Sequence, residues 1–476
     1  MRNKIALLSA LILTLVLPSG LRGQEMVHNA SYPSDPAFVP VADSLKGVII
    51  DCQIDNSKIY PNTVRNVKVY IPHGYDASRP ACLLVCMDGI LFQATTVLDN
   101  LILRGEMPLA IGVFVQSGTT YDENGNVVRY NRSNEFDRMD GTFARFLETE
   151  VLPLAESLKT PEGLPVTISR DAKDRAITGA SSSGIAAFTA AWERPDLFSR
   201  VYSSVGTYVS MRGGNDYPAL VRKTEPKPIR IFLQDGMKDA WNPLFGEWWE
   251  QNLLMESALD FAGYEEIAHW DRGGHSVYHG TQMFPDAMRW LWKGWPEPVK
   301  AGESRNDMLQ SLLGKGDERE VSWQLVENPS REVMERLSKP CTEAVYPTGK
   351  MVAVAEENSA WIMNSIIMPD GSRRAQEQFY YLHNPDNSCK GYVARDMAFD
   401  TAGNLFVATP TGVQVCDQNG RVRAILTLPS RSVDALAFIG NNLYVSSGGR
   451  VYVRRLKHSG YDPSRGPIEV KSQGQG

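Results

Sequence analysis

Between residues 46 and 297, short and almost continuously apolar runs alternate with helical segments, and this alternation constrains the fold more than any other feature. Runs of this kind suit strands that are buried on both faces of a parallel sheet. They lie at residues 67–71, 82–87, 110–115, 175–178, 201–206 and 229–233. Helix-length segments lie among them, at 143–158 and 247–263. Because strands that alternate with helices build βαβ units, the pattern predicts a doubly wound α/β domain over residues 46–297.

The pattern changes after residue 297. Residues 298–320 are charged and contain glycines, which predicts a linker with one or two helical turns. Residues 321–476 contain short strand-like runs separated by turn sequences such as DTAGN and DQNGR. This spacing predicts an all-β domain of antiparallel hairpins, as in propeller blades or a sandwich. A length of 476 residues suits two such domains.

The N-terminus has the pattern of a secretory signal peptide. Arg2 and Lys4 precede an apolar run at 5–17, and small or helix-breaking residues follow it. The run is short for a membrane anchor, so we predict that residues 1–23 are cleaved and that the chain is secreted or periplasmic without an anchor. Residues 24–45 are polar and proline-rich, which predicts a linker or arm. The formal net charge of −6 gives no indication of a nucleic-acid partner.

The segment RAITGASSSGIAAFTAAW, residues 175–192, has the order strand, turn of small residues, helix. This is the context of a nucleophile elbow, in which a serine sits on a strained turn and the following helix directs N–H groups at a developing oxyanion. The pattern Gly-x-Ser-x-Gly is imperfect in both possible registers. We favour Ser181 over Ser182 as the nucleophile, because Gly179 then ends the strand. The competing interpretation is a serine-rich loop that caps a helix.

The same fold requires an acid and then a histidine further along the chain. Asp239 follows the strand of the IRIFL run and is the preferred acid, with Asp235 as the alternative. His275 follows two glycines and is the preferred base. Of the other histidines nearby, His269 lies within a strand pattern and His279 is a weaker alternative.

In this arrangement the serine hydroxyl attacks a carbonyl, the histidine takes its proton, and the aspartate holds the histidine in the required tautomer. The oxyanion donors are predicted to be the backbone N–H of Ser182 and that of Gly89 or Ile90, in the loop after CLLVCM. An ordinary turn at Asp88 and Gly89 is the competing interpretation of that loop.

Three aromatic residues near the predicted site, Trp241, Trp248 and Tyr208, are candidates for an acyl or sugar pocket. The alternative is that aromatics in the EWWEQNLLMESALDF helix pack in the core, where large rings are common. Glu135, in the sequence RSNEF, either orients a loop near the site or caps a helix.

The motifs MDGILF, NRSNEFD, GASSSG, LQDGMKDAW and GGHSVYHG together resemble an esterase family that includes enterochelin, feruloyl and acetyl xylan esterases. The resemblance covers about residues 55–295 and implies an α/β-hydrolase fold with a Ser-His-Asp triad, no metal and no other cofactor. On this resemblance Ser181 is the nucleophile, His275 the base and Asp239 the acid. Ser183 departs from the family, which usually has glycine at that position.

Residues of about 340–460 are similar to blades of the gluconolactonase-type propeller. A complete six-bladed propeller would need about twice this length, so the resemblance implies a partial propeller. Asp396 falls near the position of that family's metal-binding aspartate. The other ligands have no counterpart that we can place, and we therefore predict no metal site.

The two resemblances together imply a secreted serine carboxylic-ester hydrolase. Its predicted substrate and partner is an acylated oligosaccharide or polysaccharide that carries acetyl or feruloyl esters. Two alternatives remain at this point: a metal-dependent lactonase whose chemistry lies in the tail, and a carbohydrate-binding protein whose elbow has lost its activity. A chelator distinguishes the first alternative, and a serine-reactive phosphonate distinguishes the second. The sequence does not establish the oligomeric state.

Overall fold

A computed structural model describes residues 34–319, 322–385, 391–429 and 431–471. The predicted signal peptide, residues 1–23, lies outside these ranges. Within them, no helix combines the length and the apolar character that crossing a membrane requires.

The first unit contains short and long strands in the order β1 (Val48–Ile54), β2 (Arg65–Ile71), β3 (Cys82–Met87), β4 (Ala110–Val115), β5 (Thr119–Tyr121), β6 (Val127–Tyr130), β7 (Arg175–Ala180), β8 (Arg200–Ser204), β9 (Arg230–Lys238), β10 (Trp241–Asn242), β11 (Gly246–Glu247) and β12 (Glu265–Gly274). Its helices are α1 (Ala94–Leu103), α2 (Arg132–Phe136), α3 (Thr142–Phe146), α4 (Leu152–Glu156), α5 (Ser182–Glu193), α6 (Tyr217–Lys223), α7 (Trp248–Ala262) and α8 (Val277–Leu291).

Eight of these strands form one mixed sheet in the order β1-β2-β4-β3-β7-β8-β9-β12. From β4 to β12 neighbouring strands are parallel, whereas β2 is antiparallel to both β1 and β4. Every residue of β3, β4 and β7 is buried, which explains why these runs are almost continuously apolar. The predicted α/β architecture is confirmed as a mixed sheet with antiparallel strands at one edge.

Helices cover both faces of this sheet. α5 packs on β7 and β8, and the buried side chains of α7 lie in the same core. The apolar side chains of α1 and α8 form the core on the opposite face. Because parallel strands end at one edge of the sheet, the loops that follow β7, β8, β9 and β12 lie close together there.

The second unit contains α9 (Asp307–Leu313), β13 (Gln324–Leu325), α10 (Arg331–Leu337), β14 (Glu343–Val345), β15 (Met351–Ala355), β16 (Trp361–Ile367), β17 (Arg373–Tyr381), β18 (Asp396–Phe399), β19 (Leu405–Thr409), β20 (Gly412–Cys416), β21 (Val422–Leu426), β22 (Ala435–Ile439), β23 (Asn442–Ser447) and β24 (Arg450–Arg455). Its strands form four-stranded antiparallel sheets, made of β14 to β17, of β18 to β21, and of β22 to β24 with β13. The hairpins expected in the tail are therefore present, while their arrangement as a partial propeller stays a prediction.

The segment 298–320, predicted to be a linker, contains helix α9. Its apolar residues Met308, Leu309, Leu312 and Leu313 are all buried in a core formed with strands of the second unit. Their three- and four-residue spacing is that of one helical face, which the charged residues around them obscure in the sequence. This part of the chain is thus packed against the sheets of the second unit.

Candidate active site

The turn between β7 and α5 is centred on Ser181. Its φ of 59° and ψ of −123° form a conformation that L-residues rarely adopt and that persists where a side chain must be presented in a fixed direction. A Cβ on Gly179 would lie 2.2 Å from the carbonyl oxygen of Ser183, so glycine is required there. Ser183 Oγ donates to the Ala180 carbonyl at 2.7 Å and accepts from the Ala180 N–H at 2.8 Å. The serine at 183 therefore fastens the turn.

Ser181, His275 and Asp239 form one hydrogen-bonded chain. Ser181 Oγ lies 2.8 Å from His275 Nε2, and His275 Nδ1 lies 2.5 Å from Asp239 Oδ1. The histidine side chain is 29% exposed, whereas that of the aspartate is fully buried. A buried carboxylate against Nδ1 favours the tautomer that leaves Nε2 free to accept the serine proton. The arrangement can therefore activate a hydroxyl nucleophile at the surface.

The other acid and histidine candidates do not contact this chain in the same way. Asp235 is fully buried, and its Oδ1 accepts the Gly236 N–H at 2.7 Å. Burial, together with the neighbouring carboxylate of Asp239, raises the pKa of Asp235 well above its ordinary value. His279 Nδ1 lies 2.8 Å from Asp271 Oδ1, in a buried pair. The geometry thus places Asp239, and not Asp235, against His275.

Thr207 and Trp248 lie next to the nucleophile. The sequence predicted Trp248 only as a substrate contact and did not predict Thr207. Thr207 Oγ1 lies 3.2 Å from Ser181 Oγ and accepts a hydrogen bond of 3.2 Å from Trp248 Nε1. The Trp248 ring also meets the His275 ring edge-on, with 5.5 Å between centroids. Thr207 follows β8 at the edge where the other site loops lie, but no sequence motif marks it. The two side chains fix the positions of the serine and the histidine.

The predicted oxyanion donors lie in two loops. Ser182 is the first residue of α5, so its N–H belongs to the free N-terminus of that helix. In the second loop, the Gly89 N–H donates to the Val115 carbonyl at 3.4 Å. Among the described residues, the Ile90 N–H has no such acceptor. The structure therefore favours Ile90 over Gly89 as the second donor.

An ion pair between Arg132 and Asp88 anchors the second loop, which contains Gly89 and Ile90. Arg132 contacts both carboxylate oxygens of Asp88, with Nε 2.9 Å from Oδ1 and Nη2 2.7 Å from Oδ2. Glu135 is buried in the same region, where Oε1 accepts from the Gly118 N–H at 3.2 Å and from Asn131 Nδ2 at 2.6 Å. Of the two roles considered for Glu135, the structure thus supports orientation of a loop.

The aromatic candidates differ from the prediction. Tyr208 is fully buried and donates its hydroxyl to Ser203 Oγ at 3.1 Å, so the predicted substrate contact at this residue is wrong. Its position after a strand end did not reveal which way the ring points. Trp248 is only 5% exposed and acts mainly through its packing on the histidine. Trp241 lies in β10 and is half-buried, so it remains available to a ligand.

Within the described residues, no group of three or more His, Cys, Asp or Glu side chains could hold a metal ion. Asp396 instead binds backbone. Its Oδ1 accepts the N–H groups of Cys341 at 2.8 Å and Met397 at 2.9 Å, and its Oδ2 accepts that of Leu436 at 2.9 Å. Burial raises the pKa of Asp396 to about 6. Both oxygens are thus engaged in joining segments of the β unit.

The fold and the site define an α/β-hydrolase-like domain with a serine, a histidine and an aspartate at its centre. Residues 59–252 match the model of the family described as "Putative esterase". This match covers less than half of the chain and shows that this segment is similar to that family. No curated protein matches the chain.

Three solved structures that are similar to this chain are esterases. The enterobactin esterase of Shigella flexneri is 20% identical, with a TM-score of 0.42 over 55% of this chain and 63% of that protein. A ferulic acid esterase is 16% identical, with a TM-score of 0.39 over 52% of this chain and 98% of that protein. The feruloyl esterase module of Clostridium thermocellum is 16% identical, with a TM-score of 0.37 over 56% and 98% of the two chains. This chain therefore spans less than two thirds of the length of the enterobactin esterase it matches.

Proposed function

We propose that this protein is a serine carboxylic-ester hydrolase that works through an acyl-enzyme. The single observation that carries the proposal is the hydrogen-bonded chain from Ser181 through His275 to Asp239, at a strained turn that precedes a helix N-terminus. The match of residues 59–252 to an esterase family supports the same chemistry.

In the first half of the reaction, Ser181 Oγ forms a bond to the ester carbonyl carbon while its proton passes to His275 Nε2. The resulting oxyanion lies opposite the N–H groups of Ser182 and Ile90. The carbon–oxygen bond of the ester then breaks, and the leaving alcohol takes the proton from His275. In the second half, water repeats the sequence on the acyl-enzyme, which releases the carboxylic acid and restores the serine.

For the substrate we propose acylated carbohydrates that carry acetyl or feruloyl groups, in a secreted or periplasmic setting. The support is the likeness of the site motifs to a family that includes feruloyl and acetyl xylan esterases, together with the signal-peptide pattern of residues 1–23. Trp241, half-buried beside Asp239, is the aromatic best placed to contact an acyl group or a sugar ring.

The purified protein should be screened against acetylated and feruloylated oligosaccharides, with Ser181→Ala as the blank for each substrate. We expect release of acetate or ferulate that the blank lacks. Turnover of simple aryl esters alone would leave the esterase chemistry standing and refute the carbohydrate substrate. Equal release by the blank and the wild type would refute the serine mechanism.

A further inference from the structure

A second carboxyl group lies behind the aspartate of the site. Asp235 is in β9, four positions before Asp239, and is fully buried. Strand β9 pairs with β12, where Trp270 is the register partner of Asp235. The proposed mechanism gives Asp235 no role, and a buried carboxyl group without a positive partner is costly to keep.

The hydrogen bonds leave one oxygen of each carboxyl group unpartnered. Asp239 Oδ1 accepts from the Ala240 N–H at 2.5 Å and faces His275 Nδ1 at 2.5 Å. Asp235 Oδ1 accepts from the Gly236 N–H. Among the described residues, the buried Oδ2 atoms of both aspartates have no donor if both groups are ionised.

One proton satisfies both oxygens. The two side chains lie within hydrogen-bonding reach of each other, and a protonated carboxyl group has one O–H to donate. The charged groups that act on Asp235 are the carboxylates of Asp239 and Asp271, and both oppose a second negative charge. Burial acts in the same direction and raises the pKa of Asp235.

We infer that Asp235 is a neutral carboxylic acid whose O–H donates to Asp239 Oδ2, and that this bond positions Asp239 for His275. The inference rests on the proposed function, since Asp239 matters only if His275 acts as a base. Asp235 is therefore a positioning residue: it touches neither the histidine nor the substrate. The hydrogen bond from Asp235 holds Asp239 Oδ2, which fixes Asp239 Oδ1 toward the imidazole. The two aspartates together then carry a single negative charge.

Infrared spectroscopy tests the proton directly and does not depend on activity. The wild type at neutral pH should show the carbonyl stretching band of a protonated carboxylic acid, and Asp235→Asn should remove it from the difference spectrum. Asp122→Asn is the matched control, because Asp122 is exposed and hydrogen bonds from Asn126 lower its pKa. That substitution should remove no such band. If Asp235→Asn also removes none, Asp235 is ionised and the inference is wrong.

Two substitutions of similar size test the positioning role. Asp235→Asn keeps a donor toward Asp239, whereas Asp235→Leu has none. We expect the leucine variant to lose about tenfold to a hundredfold in kcat, with little change in KM, because the histidine loses its fixed partner. The asparagine variant should recover most of that loss. Equal kcat in the two folded variants would overturn the positioning role.

These experiments distinguish failure of the inference about Asp235 from failure of the proposed function. If Ser181→Ala remains active, the serine mechanism fails while the infrared result still decides whether Asp235 holds a proton. If Ser181→Ala is inactive and the two Asp235 variants behave alike, only the present inference fails. Should Asp235→Leu not fold, the infrared comparison of wild type with Asp235→Asn decides alone, and a missing band refutes the shared proton.

Discussion

Two buried aspartates, one in each unit of the molecule, differ in what their neighbours allow them to do. Asp239 in the α/β unit faces the imidazole of His275, which in turn faces Ser181 Oγ. Asp396 in the β unit faces backbone N–H groups of three separate residues. An imidazole can take up and release a proton near neutral pH, whereas an amide N–H cannot. The same type of side chain thus serves the proposed chemistry in one unit and links backbone segments in the other.

The backbone also differs between the two units: it is strained at Ser181 and regular at Asp396. The α/β unit carries a serine at φ 59° between a fully buried strand and a helix, and the turn is fastened by a second serine. The strained position presents a hydroxyl to solvent and to the histidine. In the β unit the aspartate instead lies at the start of a regular strand, β18, and both of its oxygens are engaged. We therefore assign the proposed chemistry to the first unit and a structural role to the environment of Asp396.

The largest expected effect is at the nucleophile. Ser181→Ala should lower kcat on a small chromogenic ester by on the order of a thousandfold or more, as loss of the nucleophile does in such triads. Ser182→Ala is the matched control, because only its backbone N–H is assigned a role, and it should cost far less. If Ser182→Ala is the inactive variant, the register of the elbow is wrong by one residue.

The next effect compares the two aspartates directly. Asp239→Asn should lower kcat on the same ester by roughly a hundredfold to ten-thousandfold, since the amide favours the wrong histidine tautomer. Asp396→Asn should leave kcat nearly unchanged, because its contacts are to the backbone of the other unit. Steady-state kinetics on both folded variants checks this. A similar loss of kcat in both would mean that the β unit takes part in the chemistry.

Much of this site follows from the order of motifs along the chain. A strand, a small-residue turn with Ser181, and a later histidine were sufficient to predict Ser181 and His275, while the acid was narrowed to Asp239, which was preferred, or Asp235. Thr207 was not predicted, and Ile90 was predicted only as an alternative to Gly89, because both roles depend on contacts between loops that no local pattern encodes. Tyr208 was misassigned for a related reason: a strand end fixes the position of a residue, but packing decides whether its ring faces solvent or the core.

A similar share of the fold could be predicted from the sequence. Buried parallel strands were visible as apolar runs, since both of their faces are covered. The antiparallel pairing of β2 with β4 was not, because a buried strand of either direction has the same composition. Helix α9 was predicted only as one or two helical turns within a linker, because its four apolar residues among charged ones do not reveal the core that buries them.

A third prediction concerns the ion pairs that join the two units. Glu225, which follows α6, contacts Arg319 and Arg454, and its side chain is 15% exposed. Burial raises its pKa, but hydrogen bonds and charge from these two arginines outweigh burial and lower it. Glu225→Gln should lower the free energy of unfolding by about 2–4 kcal/mol, because it removes the carboxylate that both arginines contact.

The control for that variant is Glu156→Gln, since Glu156 pairs with Arg170, whose side chain is 69% exposed. A surface pair of this kind should contribute less than about 1 kcal/mol. Denaturant titration measures both variants, and kcat on a small ester should stay at the wild-type value in each. A loss of kcat in folded Glu225→Gln would show that the joint between the units supports the site.

The smallest effect is the pH dependence contributed by Asp396. Burial raises its pKa from 3.8 to about 6, so the folded protein holds this proton more tightly than the unfolded chain. Its contribution to stability is therefore fully present below the unfolded pKa and is lost as the pH rises through about 6. The difference in unfolding free energy between wild type and Asp396→Asn should decline over that range. A difference that is flat with pH would contradict the burial argument.

The most direct test of the central claim is covalent labelling of the nucleophile. A serine-reactive fluorophosphonate should add once to the wild-type protein, and peptide mass spectrometry should place the adduct on Ser181. His275→Gln should slow the labelling strongly, because the hydroxyl loses its base. An adduct on another residue, or ester hydrolysis at full rate by protein that is fully labelled on Ser181, would contradict the serine mechanism.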